Sequence, residues 1–242
     1  EFRRVLFRSA FGAEIVVHSA TKYLGGHGTT LAGVVVESGK FPWDNGRFPG
    51  MTEPSAGYHG VRWYETFGDF GFTMRARMET LRVYGAALAP ASAWQILQGI
   101  ETLPLRMQRH CNNALAVAKF LRDDPRVSFV TYPGLDSHPQ YSLAQRQMRG
   151  GSGLLAFGIR GGAQAGVRFI EGAQLMSHLV NIGDTRTLVS HPASTTHRQL
   201  EPEQLAAAGV TPELVRISVG LESLDDILWD IDQALGAATR GA

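Results

Sequence analysis

The stretch Glu14-Ile-Val-Val-His-Ser-Ala-Thr-Lys-Tyr-Leu-Gly-Gly-His-Gly28, followed by Leu31-Ala-Gly-Val-Val-Val36, decides how this chain is read. Its two β-branched runs have the look of strands buried on both faces, as in a parallel sheet. Gly25-Gly-His-Gly28 between them is a tight turn by composition. On extended backbone Ser19 and Thr21, two residues apart, set their hydroxyls on one face. Lys22 follows at the carboxyl end of the first strand, where α/β folds collect their ligands. Lysine is scarce in the chain: of 23 basic residues only Lys22, Lys40 and Lys119 are lysine.

Two hydroxyls beside a lysine suit a phosphorylated aldehyde, the hydroxyls holding the phosphate and the amine forming an imine. Pyridoxal 5'-phosphate answers that description, and an amine partly desolvated by apolar strands is the nucleophile it needs. On spacing alone, a lysine capping a strand with Ser and Thr serving the turn explains the same residues equally well. The nucleotide P-loop does not fit, because Gly-x4-Gly-Lys-Ser/Thr is absent from the sequence.

Outward from this segment, short β-rich runs alternate with helical ones, an α/β order. Residues 37–60, rich in Gly, Pro and aromatics, read as a long ordered loop of the kind that tends to be functional. A helix is expected from Phe72 to Tyr84, ended by Gly85. A longer one runs from Pro90 to about Asp123, kinked or divided by Pro104 and stopped by Pro125. Strands near 127–131, 153–159, 178–182 and 214–219 then alternate with helices near 139–148, 163–175, 202–208 and 224–237.

The 242 residues make between one and two domains at ~150 residues each. With 44% hydrophobic residues the chain can bury a core, so disorder is not expected. A net charge of +1 argues against broad electrostatic binding to nucleic acid or anionic membrane. No apolar run reaches the ~20 residues of a membrane helix. The single cysteine, Cys111, makes no internal disulfide, which fits a reducing cytoplasm.

His18-Ser-Ala-Thr-Lys-Tyr-x-x-Gly-His27 resembles the lysine motif of the transsulfuration family, the pyridoxal-phosphate enzymes of cysteine and methionine metabolism. The resemblance extends from about Gly12 to the C-terminus. Within the family, Ser38-Gly-Lys-Phe-Pro-Trp43, Gly46-Arg-Phe-Pro-Gly50, Tyr58-His-Gly60 and Glu65-Thr-Phe-Gly68 resemble the insertion of its O-acetylhomoserine sulfhydrylase branch. Leu97-Gln-Gly-Ile-Glu-Thr-Leu-Pro-Leu-Arg-Met107 and Asn181-Ile-Gly-Asp184 agree with that branch, whereas γ-lyases and γ-synthases carry Ser where Asn181 stands.

The resemblance implies a fold-type I PLP-dependent transferase. Residues 10–87 would end the large cofactor domain, residues 88–242 would form the smaller C-terminal α/β domain, and residues 1–9 read as a non-native leader. It implies Lys22 as the lysine that carries the cofactor and later moves protons, with Ser19 and Thr21 on the phosphate. Arg216, in Leu214-Val-Arg-Ile-Ser-Val-Gly-Leu-Glu222, matches the family's arginine for the substrate α-carboxylate, and Asn181 orients the same group. A planar, permanently charged guanidinium suits a carboxylate. The implied reaction joins O-acetyl-L-homoserine to sulfide or a thiol, in a cytoplasmic homotetramer with neither nucleic acid nor membrane as partner. Cystathionine synthesis and methionine γ-elimination are the neighbouring readings.

Other residues invite plainer explanations. His191 and His197, six apart with Pro192 between, suit no common zinc spacing, and the resemblance places their segment in the wall of the substrate pocket. Tyr23 and His27 serve turn and packing as readily as chemistry. Cys111 reads as a helix-packing residue. Arg75, Arg77 and Arg82 read as a solvated or inter-subunit face, and the Trp229 helix as amphipathic and part of the core.

In the family the lysine lies near mid-chain. The implied aspartate for the pyridine nitrogen, the ring-stacking aromatic and the phosphate-cradling helix start would all fall before this chain begins. The expectation is a C-terminal part that, by itself, exposes apolar strand edges, binds cofactor poorly and associates. A rival of another class is an inactive fragment acting only in assembly.

Overall fold

A computed structural model describes residues 11–240, so the reading of residues 1–9 as a leader lies outside the described residues. The chain forms two compact units. One takes the described residues up to Thr21 together with Thr30–Gln98; the other takes Lys22–Thr29 with the chain from Gly99 onward. The lysine loop is thus grouped with the C-terminal part of the chain, and the strands flanking it are grouped elsewhere.

In the first unit β1 (Ile15–Ser19) pairs with β2 (Gly33–Glu37), Ile15 opposite Glu37 and Ser19 opposite Gly33. The pair is antiparallel, which corrects the parallel strand expected from the sequence. The strands are also not buried on both faces: Val17 is 67% exposed and Val35 50%. β-Branched runs report a fit to pleated backbone, not direction or burial.

Glu37, at the end of β2, accepts hydrogen bonds from the amides of Phe72 (3.3 Å) and Thr73 (2.9 Å) and from the Trp43 indole (3.3 Å). Its carboxylate so caps a helix whose first amides have no partner of their own. The long loop is ordered by an aromatic cluster: Trp43, Met51 and Trp63 are buried, with Phe41, Phe48, Tyr58 and Phe72 against them. Trp43 stacks on Phe72 at 5.6 Å. Helices α1 (Pro49–Thr52) and α2 (Trp63–Phe67) lie within this stretch.

Helix α3 runs from Gly71 through Arg75, a π-helical Ala76–Leu81 and Arg82–Tyr84. Gly85 ends it at φ +65°, a left-handed turn that glycine takes without strain. Arg75 pairs with Glu79 at 2.7 Å. The expected long helix is two: α4 (Pro90–Glu101) and α5 (Leu103–Asp123), divided at Thr102. Pro104 sits in the first turn of α5, where its missing N–H costs nothing.

The second unit is built on a five-stranded sheet: β3 (Val127–Thr131), β4 (Leu154–Ile159), β5 (Ser177–His178), β6 (Leu188–Ser190) and β7 (Leu214–Ser218). Its order is β3-β4-β7-β6-β5, antiparallel except for β5 with β6. Helices α6 (Tyr141–Gln147), α7 (Gly162–Gly172), α8 (Pro202–Ala207) and α9 (Leu224–Thr239) alternate with the strands, an α/β arrangement. β6 has too few residues to show a period, and the strand expected at 178–182 shortens to Ser177–His178.

Helix α5 buries Ala114, Val117, Ala118 and Leu121, the i, i+3, i+4, i+7 stripe of a helix on a core. Ile227, Ile231, Ala234, Leu235 and Ala238 do the same for α9, leaving Trp229 56% exposed on its outer side. These stripes meet Phe157, Phe169, Val215 and Ile217 in one cluster. Truncating a fully buried residue such as Phe169 to Ala would cost about 3–5 kcal/mol. Among the described residues no helix is long and apolar enough to cross a membrane.

Candidate active site

β1 stops at Ser19, so Thr21 lies in a turn and not on extended backbone. The Thr21 hydroxyl accepts from the Ala32 amide at 3.0 Å and donates to the Ala32 carbonyl at 3.3 Å, closing that turn. The Ser19 side chain is exposed. Of the two hydroxyls expected on a phosphate, Ser19 is open to an incoming anion, while Thr21 already has backbone partners.

Lys22 begins the loop that belongs to the second unit. Its amine donates to Asn181 Oδ1, joining two residues 159 positions apart. The Gly26 amide donates to the Lys22 carbonyl at 2.8 Å, and the Thr185 amide donates to the Gly26 carbonyl at 2.9 Å. Gly183, at φ +75°, lies so close to Tyr23 that a Cβ there would come within 2.7 Å of the Tyr23 nitrogen. The Tyr23 ring sits edge-on to His110 at 5.3 Å. Burial raises the pKa of the Tyr23 phenol, with the Ser152 and Ser218 hydroxyls opposing. His27 is exposed, its Nδ1 2.7 Å from the Gly25 carbonyl, so that it serves the turn.

The other side of this site comes from β7, the middle strand. Val215 and Ile217 enter the core, and Arg216 and Ser218 alternate with them. Ser218 Oγ accepts from the Gly183 amide at 2.9 Å, and Arg216 Nη2 donates to the Val180 carbonyl. Arg216 and Lys22 therefore converge on the consecutive residues Val180 and Asn181. Burial lowers the Arg216 pKa from its ordinary value, yet a guanidinium remains charged in proteins. Among the described residues no carboxylate pairs with it. A half-buried cation held only by a neutral carbonyl is matched to an anion.

Sequence reasoning placed Lys22, Asn181 and Arg216, and the structure brings these three together. It did not single out Arg106, Gly183, Thr185 or Ser218, which hold them there. Arg106 alone carried a legible signal, a charge among the apolar residues Leu103, Leu105 and Met107. His191 bonds Ser194 Oγ through Nδ1 and the Pro212 carbonyl through Nε2, and His197 Nδ1 meets Thr196. Cys111 is a partly buried free thiol beside Gly150.

The Cys/Met metabolism PLP-dependent enzyme family matches residues 6–236 of the chain. The chain belongs to this family. It is 52% identical over 227 residues to O-acetyl-L-homoserine sulfhydrylase 1 of Thermus thermophilus, covering 93% of this chain and 54% of that protein. To O-acetyl-L-homoserine sulfhydrylase of Leptospira meyeri it is 49% identical, covering 93% and 53%. A crystal structure of a putative O-acetylhomoserine (thiol)-lyase from Campylobacter jejuni, containing N'-pyridoxyl-lysine-5'-monophosphate, superposes with a TM-score of 0.89 at 37% identity. That comparison covers 94% of this chain and 55% of the other. The chain thus spans about half the length of the curated relatives it matches. The family and fold class expected from the lysine motif are the ones found.

The residues present fit the family's cofactor in their donor chemistry. Lys22 is a primary amine of the kind that condenses with an aldehyde, and Ser19 is an exposed hydroxyl. Arg216 adds a half-buried cation whose hydrogen-bond partner is the neutral Val180 carbonyl.

Proposed function

We propose that the whole protein is a pyridoxal-phosphate enzyme that replaces the acetoxy group of O-acetyl-L-homoserine. With sulfide the products are L-homocysteine and acetate; with a methyl thiol they are L-methionine and acetate. The observation that carries this is the convergence of the Lys22 amine and the Arg216 guanidinium on Val180-Asn181. An amino acid bound by its carboxylate at Arg216 would present its Cα beside the lysine.

When bound, pyridoxal phosphate supplies an aldehyde for Lys22 and an electron sink for charge left at Cα. The residues of this chain bind, orient and move protons. Arg216 clamps the α-carboxylate bidentately, and Asn181 exchanges its bond to Lys22 for one to the same carboxylate. Ser19 donates to the phosphate. Lys22, freed when the substrate's amine takes its place, removes the proton on Cα with Nζ. A proton then leaves Cβ, acetate departs from Cγ, and hydrosulfide adds at Cγ while the two carbons regain their protons. Residues 10–87 would complete the cofactor domain and residues 88–242 the C-terminal domain of a cytoplasmic tetramer.

The test is product analysis with the whole protein, cofactor, O-acetyl-L-homoserine and sulfide. Homocysteine and acetate should appear in equal amounts, and Lys22→Ala should abolish both. With cysteine competing against sulfide, homocysteine should remain the main product. Cystathionine in its place, or turnover that survives Lys22→Ala, overturns the reading.

A further inference from the structure

Arg106 on α5 is buried at 6% exposure. It donates through Nη1 to the Tyr23 carbonyl (2.9 Å) and through Nη2 to the Leu24 carbonyl (3.3 Å), the two residues directly after Lys22. Nη2 also donates to the Gly99 carbonyl at 2.5 Å, and Nε to Thr102 Oγ1 at 3.1 Å. The fork is therefore fixed to its own helix region at one end and grips the lysine loop at the other.

The loop is shaped to receive it. Gly26 stands at φ +76° with its Cα against the guanidinium; a Cβ there would lie 2.6 Å from the guanidinium carbon. Gly99 admits the same loop, since its Cβ would lie 2.6 Å from the Leu24 carbonyl oxygen. Two glycines and one buried cation so meet on four residues, Tyr23 to Gly26. A lysine at Arg106 could not replace this fork, because one ammonium cannot span two successive carbonyls in a plane and still reach Gly99.

We propose that Arg106 is a positioning residue for Lys22, acting through the carbonyls of Tyr23 and Leu24. The structural half stands on the contacts above; the functional half rests on the reading of Lys22 given under Proposed function. A long side chain such as lysine places its amine only as well as its backbone is held. Misplacement of a reacting group by about 1 Å costs roughly 100-fold in rate.

The experiment uses the whole protein with cofactor and four variants: Arg106→Gln, Arg106→Lys, the milder Thr102→Val, and Val117→Ala as a core control. Val117 is fully buried on the same helix and destabilises without touching the loop. The first readout, independent of cofactor, is hydrogen exchange at the Gly26 amide. It should speed up about tenfold or more in both Arg106 variants, severalfold in Thr102→Val and not in Val117→Ala. The second is borohydride trapping of cofactor on Lys22, located by mass spectrometry, together with steady-state kinetics. Trapping should slow, and kcat should fall roughly 10- to 100-fold with KM for O-acetyl-L-homoserine within about twofold.

If Arg106→Gln does not fold, Thr102→Val and Arg106→Lys carry the test. Equal effects in Val117→Ala, or exchange and kcat unchanged in the Arg106 and Thr102 variants, overturn the proposal. Absence of label on Lys22 in the parent overturns the functional reading, and with it the catalytic half of this one. The exchange result then still decides whether Arg106 holds the loop.

Discussion

Asp230, on α9, receives the backbone amide of Met176 at 2.8 Å in the interior of the second unit. The same carboxylate accepts from the amides of Gln174 (2.8 Å) and Leu175 (2.9 Å), and from the Gln233 side chain (2.7 Å). It is fully buried, so it ties the entry of β5 to the last helix with charge-assisted bonds. Asp230→Ala would leave three amides without partners and should cost about 3–5 kcal/mol, read from urea unfolding. Asp230→Asn keeps one acceptor oxygen and should cost less. A loss below 1 kcal/mol in the alanine variant would show the amides finding other partners.

Stability should fall in mild acid because of His110. Burial lowers its pKa below the ordinary 6.5, the Val219 carbonyl opposes this, and the Arg106 charge adds to it. Its Nδ1 lies 2.7 Å from the Val219 carbonyl, and Nε2 is buried without a hydrogen-bond partner, so the folded ring is neutral. The unfolded chain takes up a proton near 6.5, so below that pH the unfolded state holds more protons and is favoured. This contribution is complete above the unfolded value and is lost progressively as pH falls from there through the lower folded value. The urea midpoint should drop from pH 7.5 to 5.5, and His110→Asn, which can still donate to Val219, should reduce that drop. An unchanged drop would assign it to other groups.

Arg216 should be worth more to ligand than to fold. Its half-buried charge is held by the Val180 carbonyl, so Arg216→Met should leave stability within about 1 kcal/mol of the parent or raise it. Binding of an amino acid with a free α-carboxylate should weaken by roughly 2–5 kcal/mol, measured calorimetrically. A variant that binds normally, or one that unfolds, contradicts this.

Gly183 and Gly162 separate strain from collision. Both have positive φ, +75° and +69°, but a Cβ at Gly162 meets nothing within 4 Å. Gly162→Ala should cost the conformational penalty alone, about 1–2 kcal/mol. Gly183→Ala should cost that plus the clash with Tyr23, and only it should quicken exchange in Lys22–Thr29. Equal effects of the two would mean that the backbone at Tyr23 yields.

What the sequence made legible was local. Lys22 at a strand–turn junction, Val127–Thr131, and the helix ended by Gly85 follow from propensity, turn chemistry and one motif. The pairing of β1 with β2 was not legible, because β-branched residues mark strand without marking direction. β6 was too short to show alternation. The charge of Arg106 among apolar neighbours was visible, but its partners and that of Thr185 were not: they lie 82, 83 and 159 residues away in the chain, and no local period records a contact of that range.

The same span sets a timetable for synthesis. The ribosome makes Asn181 159 residues after Lys22, roughly 8–30 s later at ~5–20 residues per second. Through that interval the Lys22 amine is an ordinary flexible lysine. Its placement beside Asn181 therefore waits on Asn181, and a nascent chain that has not yet reached Asn181 has no aligned amine with which to capture an aldehyde.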